Sequence, residues 1–352
     1  MQILSELGER KIVSEILKML EDSPRNILGR VDDAAIYDLG FNKHLVVSID
    51  RIPLPYGITF GLLDFEGMGK YFACSTINDV IVKGAKPFAM LVSLGVPKDM
   101  TLKQLRSLLK GLHSVASKYG ITVIGGDTKP KNSLDLVGTV LGLIDKGFEI
   151  PRNGSSSGDI VAITGEIGLF TAFLCAHAKQ STRRKIKMLI KELKDEYNRR
   201  LEVPFALMRI ISRMKSACAS IDISDGLYGD LKKISELSEV GMEIFTDKIP
   251  FPIVVPKLAK ELDIPTEIFA AFGGDLQLAL VIERKKWRKT VQEITQNGLS
   301  LHCIGRVVSG SNVTLLKNRK RCKLNKIVEW DLFSKLNPEQ MLSEFQKQLK
   351  WT

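Results

Sequence analysis

The chain has 352 residues, 51 Lys+Arg against 40 Asp+Glu, a formal net charge of +11 and 44% hydrophobic residues. This composition excludes a disordered chain and a small disulfide-stapled scaffold, and the length predicts two domains, each able to bury its own core. The charge invites a nucleic-acid reading, but residues 1–150 hold 18 basic and 17 acidic side chains, and the excess lies in 183–200, 284–289 and 317–326. Two of those stretches hold Lys/Arg runs without interleaved base-stacking aromatics apart from Trp287, which argues against nucleic-acid readout.

An amphipathic helix is predicted at about residues 6–20, with charges mixed into its apolar pattern and no signal-peptide core. Segment 44–50 reads as a buried strand ending in Asp50, 67–83 as a helix and 87–96 as a second strand. Thr101 is the expected N-cap of a helix carrying Leu102, Leu105, Leu109, Leu112 and Ala116, with Gly120 past its end. Strands at 121–124 and 134–144 would flank a Gly125-Gly126-Asp127 turn. The turn-rich segment 151–158 marks a boundary, and 159–165 opens the second half with a strand. Residues 183–200 read as a basic helix, a solvated face or insertion. Ile221-Asp-Ile-Ser-Asp-Gly226 is a strand feeding a helix with Leu227, Leu231, Ile234 and Leu237, closed by Gly241. Strands mixed with helices in this order predict an α+β or α/β layer. The expected division is 1–150, 151–310 and a C-terminal extension at 311–352. Scattered cysteines, five in number, and the lack of an apolar run of about 20 residues predict a cytoplasmic protein with no membrane span.

The carboxylates carry the chemistry. Aspartates stand beside glycine or at strand ends in Asp32-Asp33, Ser48-Ile49-Asp50, Gly125-Gly126-Asp127 and Asp222-Ile-Ser-Asp225. Two-residue alternation puts Ile221 and Ile223 on one strand face and Asp222 and Ser224 on the other. Asp79 interrupts an apolar helical stretch and needs a partner there. Taken singly, Asp127 reads as a turn residue, Asp33 as a cap, Asp50 as a strand end and Asp225 as a helix N-cap. Together they fit a site that gathers carboxylates around Mg²⁺, which prefers oxygen ligands and bridges carboxylates to phosphates. Neither a GxxxxGK[ST] loop nor a GxGxxG fingerprint occurs, and Gly67-Met-Gly69-Lys70 is read as a helix start.

The order of these segments resembles the aminoimidazole-ribonucleotide-synthetase-like (AIR synthase-related) ATP-binding superfamily, and within it the thiamine-monophosphate kinase branch. The shared segments are Asp32-Asp33-Ala-Ala35, Ser48-Ile-Asp50, Asn78-Asp79 with Gly84-Ala-Lys-Pro87, Gly125-Gly-Asp127-Thr128, Arg152-Asn-Gly, Gly158-Asp159, Thr164-Gly165, Ile221–Gly226 and Trp330-Asp-Leu-Phe333. The resemblance implies a two-domain α+β subunit, with an N-terminal mixed-sheet ATP-binding domain and a C-terminal α+β domain, joined as a homodimer through the N-terminal domains. It implies metal ligands at Asp32, Asp50, Asp79, Asp127, Asp222 and Asp225, with Ser48 and the Ile49 backbone nearby. ATP phosphates would lie against Asp127, Arg152 and Ser224, and Asp127, Asp222 and Asp225 would be the catalytic carboxylates. The implied reaction takes the γ-phosphoryl group of ATP to the phosphate of thiamine monophosphate.

Departures cluster at the acceptor side. Thr59-Phe60 stands where the branch has His-Phe, and Gly273-Gly-Asp275-Leu-Gln-Leu278 is shorter and less acidic than its GGEDYEL-like segment. Ser-Ile-Asp replaces Ser-Thr-Asp, and Val31 replaces a glycine. Thr59, Asp275 and Trp330 are the candidate acceptor residues, Trp330 by stacking on a heteroaromatic ring or else by simple packing. Two other readings stay open: a relative acting on a different small phosphorylated or acidic substrate, and a non-catalytic nucleotide- or RNA-binding protein. The chain ends offer no reactive cysteine of the kind related dehydratases and selenophosphate synthetases carry.

Overall fold

The computed structural model describes residues 9–29, 31–52, 56–178, 183–324 and 338–352. The first half runs α1 (Glu9–Met19), β1 (Ala35–Asp38), β2 (Lys43–Ile52), α2 (Tyr56–Thr59), α3 (Phe65–Ile81), β3 (Lys86–Pro97), α4 (Leu102–Lys118), β4 (Thr122–Lys131) and β5 (Asp135–Asp145). Its strands form one mixed sheet in the order β1-β2-β5-β3-β4, antiparallel except for the parallel β3–β4 pair.

Alternation along β5 buries Leu136, Val140 and Ile144 beneath α3 and turns Leu143 to the other face. The two helices start on side-chain caps. Asp64 accepts the Gly67 N–H at 2.7 Å, and Thr101 and Gln104 form a reciprocal capping box. They cross with backbones in contact, because a Cβ on Gly69 would lie 1.9 Å from the Leu108 carbonyl oxygen and one on Gly111 1.9 Å from that of Glu66. Ile49, Leu91, Val123, Ile124 and Leu143 remain exposed, and β4 is exposed along its whole length.

One expectation fails here. Gly125-Gly126-Asp127 lies inside β4, not in a turn, because backbone pairing with β3 continues through it from Ala89–Thr122 to Pro97–Lys131.

The second half runs β6 (Ile160–Ile163), α5 (Leu169–Ala178), α6 (Arg184–Arg199), α7 (Phe205–Met214), β7 (Ala217–Asp222), α8 (Leu227–Leu237), β8 (Gly241–Phe245), α9 (Val254–Leu262), β9 (Leu278–Ile282), α10 (Trp287–Gln296), β10 (His302–Val308), β11 (Val313–Lys317), β12 (Lys320–Lys323) and α11 (Pro338–Gln348). Its sheet is ordered β12-β11-β8-β10-β6-β9-β7. The molecule is therefore α+β, with two mixed sheets.

A further correction follows from this half. α8 ends at Leu237, and Glu239 takes the left-handed turn (φ 55°), so Gly241 opens β8 instead of closing the helix. Within residues 313–323, β11 pairs with both β8 and β12 and β12 forms the edge of the sheet, and Phe345 of α11 is buried with its ring 5.4 Å from that of Tyr228. The basic run 183–200 holds the helix expected there, α6, whose Ile186, Leu189, Leu193 and Tyr197 are buried while most of its basic side chains face outward. Among the described residues, no helix is long and apolar enough to cross a membrane.

Candidate active site

The site lies where α3, under the first sheet, meets β7, at the edge of the second. Helical spacing of four aligns Tyr71, Ser75 and Asp79 in one stripe of α3. On β2, alternation turns Ser48 and Asp50 toward that helix. Asp50 accepts the Ser75 hydroxyl at 2.5 Å and the Arg51 N–H at 2.7 Å, and the buried Ser48 hydroxyl donates to the Thr76 carbonyl at 3.3 Å. Ile49 points the other way and is 72% exposed, so only its backbone belongs to this face.

On β7 the alternation predicted from sequence holds. Ile221 and Ile223 are buried, Asp222 is half-buried and Ser224 is exposed. Polar links across the junction tie the second half to α3. The Asn78 amide donates to the Leu276 carbonyl at 3.1 Å, and the Ser220 hydroxyl to that of Val82 at 2.7 Å. Burial pushes the Asp79 carboxyl well above its usual range, and the charges of Asp222, Asp50 and Asp33 push it further. Asp222 is raised in the same way, by burial and then by Asp33 and Asp230. Arg152 opposes the rise at both without cancelling it.

Asp32 and Asp33 meet two cations. The Lys83 ammonium, fully buried, is 2.5 Å from Asp32 Oδ1 and 2.6 Å from Asp33 Oδ2, and it donates to the Ser220 carbonyl at 3.1 Å. Arg152 donates its backbone N–H to Asp32 Oδ2 at 2.9 Å, Nε to Asp33 Oδ1 at 3.0 Å and Nη1 to the Val31 carbonyl at 2.7 Å, while Nη2 also meets Asp33 Oδ1. Burial works against ionisation of Asp33, but Lys83 and Arg152 overcome it and hold that carboxyl at about 2.

Asp225 lies beyond β7, 2.5 Å from the Lys233 ammonium, and its N–H donates to Asp230 at 3.1 Å. The next residue, Gly226, has φ 115° and lies so close to the 271–273 backbone that a Cβ would be 1.9 Å from the Ala271 carbonyl oxygen. That approach fixes Ser224 and Asp225 at the head of α8. Asp230 is fully buried, and burial raises its carboxyl to about 7 against the pull of Lys233.

Other expected site residues lie apart from this group. Asp127 is exposed on β4, 3.5 Å from Lys129. Thr59 is exposed at the end of α2, and the neighbouring Phe60 ring is 4.9 Å from that of His177 on α5. Asp275 accepts the N–H groups of Gly168, Leu169 and Phe170 at 2.7, 3.0 and 3.2 Å and so caps the start of α5. Its buried carboxylate serves a helix end. Trp330 lies outside the described residues. A cleft of 690 Å³ lined by Lys118, Tyr119, Arg199, Arg200, Phe205 and Gln277 shares none of the predicted site residues.

Family models for the AIR synthase related protein match this chain twice, the N-terminal domain at residues 31–144 and the C-terminal domain at 156–318. The chain belongs to the AIR synthase-related family. Within it the chain is of the thiamine-monophosphate kinase-like kind, and by that kinship an enzyme. The thiamine-monophosphate kinase of Bacillus subtilis is 29% identical over 286 residues, covering 80% of this chain and 85% of that protein. A putative hydrogenase expression/formation protein of Methanocaldococcus jannaschii is 30% identical over 244 residues, covering 67% and 68%. The solved structure of AaThiL complexed with AMPPCP and TMP superposes with a TM-score of 0.78 at 24% identity, covering 94% of this chain and 99% of that one.

Among the described residues, no three His, Cys, Asp or Glu side chains converge closely enough to hold a metal ion as they stand. The donor set nevertheless suits a hard cation: Asp50, Asp79 and Asp222 offer carboxylate oxygens from three elements, and the charges of Asp222 and Asp50 add to burial in raising the Asp79 carboxyl. Sequence reasoning missed Ser75, Lys83, Asp230 and Lys233. Ser75 and Lys83 are four residues before and after Asp79, so the helical spacing around that aspartate was the available signal.

Proposed function

We propose that this chain is an ATP- and Mg²⁺-dependent thiamine-monophosphate kinase, giving ADP and thiamine diphosphate. The observation that carries this reading is the group of Asp50, Asp79 and Asp222 at the junction of the two sheets, where burial and neighbouring carboxylates raise Asp79 and Asp222 well above the usual carboxylate range. The thiamine-monophosphate kinases among the relatives, and AaThiL with AMPPCP and TMP, supply the substrate pair.

The chemistry asks little of a general base. A phosphate monoester loses its second proton near about pH 6, so the acceptor oxygen is already anionic at neutral pH. Catalysis then rests on holding two polyanions together and in line. Mg²⁺ held by Asp50, Asp79 and Asp222 would supply the charge neutralisation between them. Ser75 orients Asp50, Lys233 fixes Asp225, and the Asp33–Arg152 contact places the guanidinium beside the same junction. We assign Asp127, Arg152 and Ser224 to the nucleotide phosphates, with Asp127 and Asp225 as further metal-facing carboxylates. The acceptor ring is assigned to the neighbourhood of Thr59 and Phe60. The exposed apolar face of the first sheet supports a homodimer, and we read the enzyme as cytoplasmic.

The test is incubation with ATP, Mg²⁺ and thiamine monophosphate, scored by thiochrome fluorescence after chromatography. A thiamine diphosphate peak that requires all three components is expected. No such peak, with ATP still bound, would move the reading to a relative that phosphorylates or activates another small acid. Salt-sensitive RNA binding without ATP turnover would replace it with the non-catalytic alternative.

A further inference from the structure

Lys83 is the buried charged group that the proposed mechanism leaves unused. Its side chain has no exposure, and its ammonium lies within 2.6 Å of a carboxylate oxygen from both Asp32 and Asp33. The remaining directions are also occupied by protein: Asp32 Oδ1 accepts the Asp33 N–H at 2.9 Å, and Asp32 Oδ2 accepts the Arg152 N–H at 2.9 Å. Asp33 Oδ2 takes no aligned hydrogen bond and meets the ammonium as an ion pair alone. Two carboxylates and two cations, Lys83 and Arg152, thus form a closed, electrically balanced quartet with Asp32 only 4% exposed. Among the described residues, neither Asp79 nor Asp222 has a cation within ion-pair distance, in contrast to Asp32 and Asp33.

We infer that Lys83 is a built-in cation that takes the place of a divalent ion at Asp32, so that metal binds only on the Asp50–Asp79–Asp222 side. This rests on the metal-dependent reading above and divides its carboxylates into two classes. Asp32 and Asp33 form the structural class: they hold Arg152 and Lys83 and pin the 31–33 segment to β7 through Ser220. Lys83 is therefore a positioning residue. Removing its charge would leave buried carboxylates uncompensated, and a divalent ion is the species best able to restore balance there.

Mn²⁺ alone, titrated into the full-length chain and counted by electron paramagnetic resonance, separates the two claims. Asp32→Asn should bind the same number of ions as the unaltered chain, and Asp79→Asn should weaken binding by about tenfold or more. Lys83→Gln should bind one additional ion, which the Lys83→Gln/Asp32→Asn double variant loses and Lys83→Arg never gains. Loss of an ion in Asp32→Asn would overturn the inference while leaving the metal reading intact. Equal counts in Lys83→Gln and the unaltered chain would overturn it too. If Lys83→Gln does not fold, the Asp32→Asn count decides alone. No Mn²⁺ binding by the unaltered chain would remove the metal reading, and this inference with it.

Discussion

Asp79 and Asp222 repel each other's charge at the junction of two sheets, and this makes them sensitive probes of the site. Asparagine at either position keeps the shape and removes the charge. The apo protein should melt at the same temperature or higher, because burial and mutual repulsion penalise the ionised forms, while turnover falls about 100-fold or more. Calorimetry and initial rates check the two halves, and a near-normal rate in either variant would remove these carboxylates from the chemistry. Asp230 gives a pH signature. Its carboxyl is raised from 3.8 to about 7 by burial, so it costs nothing below the unfolded value, costs progressively more as pH rises from there to the folded one, and levels off above it. Asp230→Asn should therefore gain stability relative to the unaltered chain as pH climbs from about 4 to about 7. Melting temperatures across that window test it, and a difference that is flat or falls with pH would show that Asp230 is not held protonated.

At the scale of elements, α5 begins on the Asp275 carboxylate, with three amide hydrogens aimed at its two oxygens. Asp275→Ala should cost about 1–3 kcal/mol in denaturant unfolding, since those buried donors lose their acceptor. A raised KM for the acceptor with unchanged stability would return Asp275 to the substrate side. Elements with local signals were legible in the sequence. Thr101, Gln104 and Gly120 bracket α4 with its own caps, and the Ile221/Ile223 against Asp222/Ser224 alternation follows from strand geometry alone. β4 was not legible, because Gly125-Gly126 has a turn's composition and only the pairing with β3 makes it extended. The Asp275 cap was not legible for a similar reason: its partners are more than a hundred residues away, at 168–170. Lys83 was passed over because Asp32 and Asp33 lie about fifty residues before it and Ser220 lies 137 after it. Local pattern carries caps and strand faces, but it does not carry pairings closed by tertiary folding.

Across the whole molecule, the two sheets differ in what they leave open. The first sheet is covered by α3 and α4 on one face and exposes Ile49, Leu91, Val123, Ile124 and Leu143 elsewhere. A homodimer through this surface predicts that Leu91→Glu with Ile124→Lys sediments as a monomer where the unaltered chain sediments as a dimer; a unaltered chain that is itself monomeric would contradict it. The bulk charge of +11 says little about such contacts or about the site. Part of it is paired within the second half, as in Lys317 with Glu267 at 2.8 Å and Arg306 with Glu243 at 2.7 Å. The functional signal lies instead in aspartates collected from β2, α3 and β7. The central claim is that these serve transfer between ATP and a phosphorylated acceptor, and the most direct measurement follows the label from γ-³²P ATP in the presence of Mg²⁺ and thiamine monophosphate. The account predicts label in the terminal phosphate of thiamine diphosphate, matched one for one by ADP. Label released as inorganic phosphate, or left on bound ATP, would contradict it.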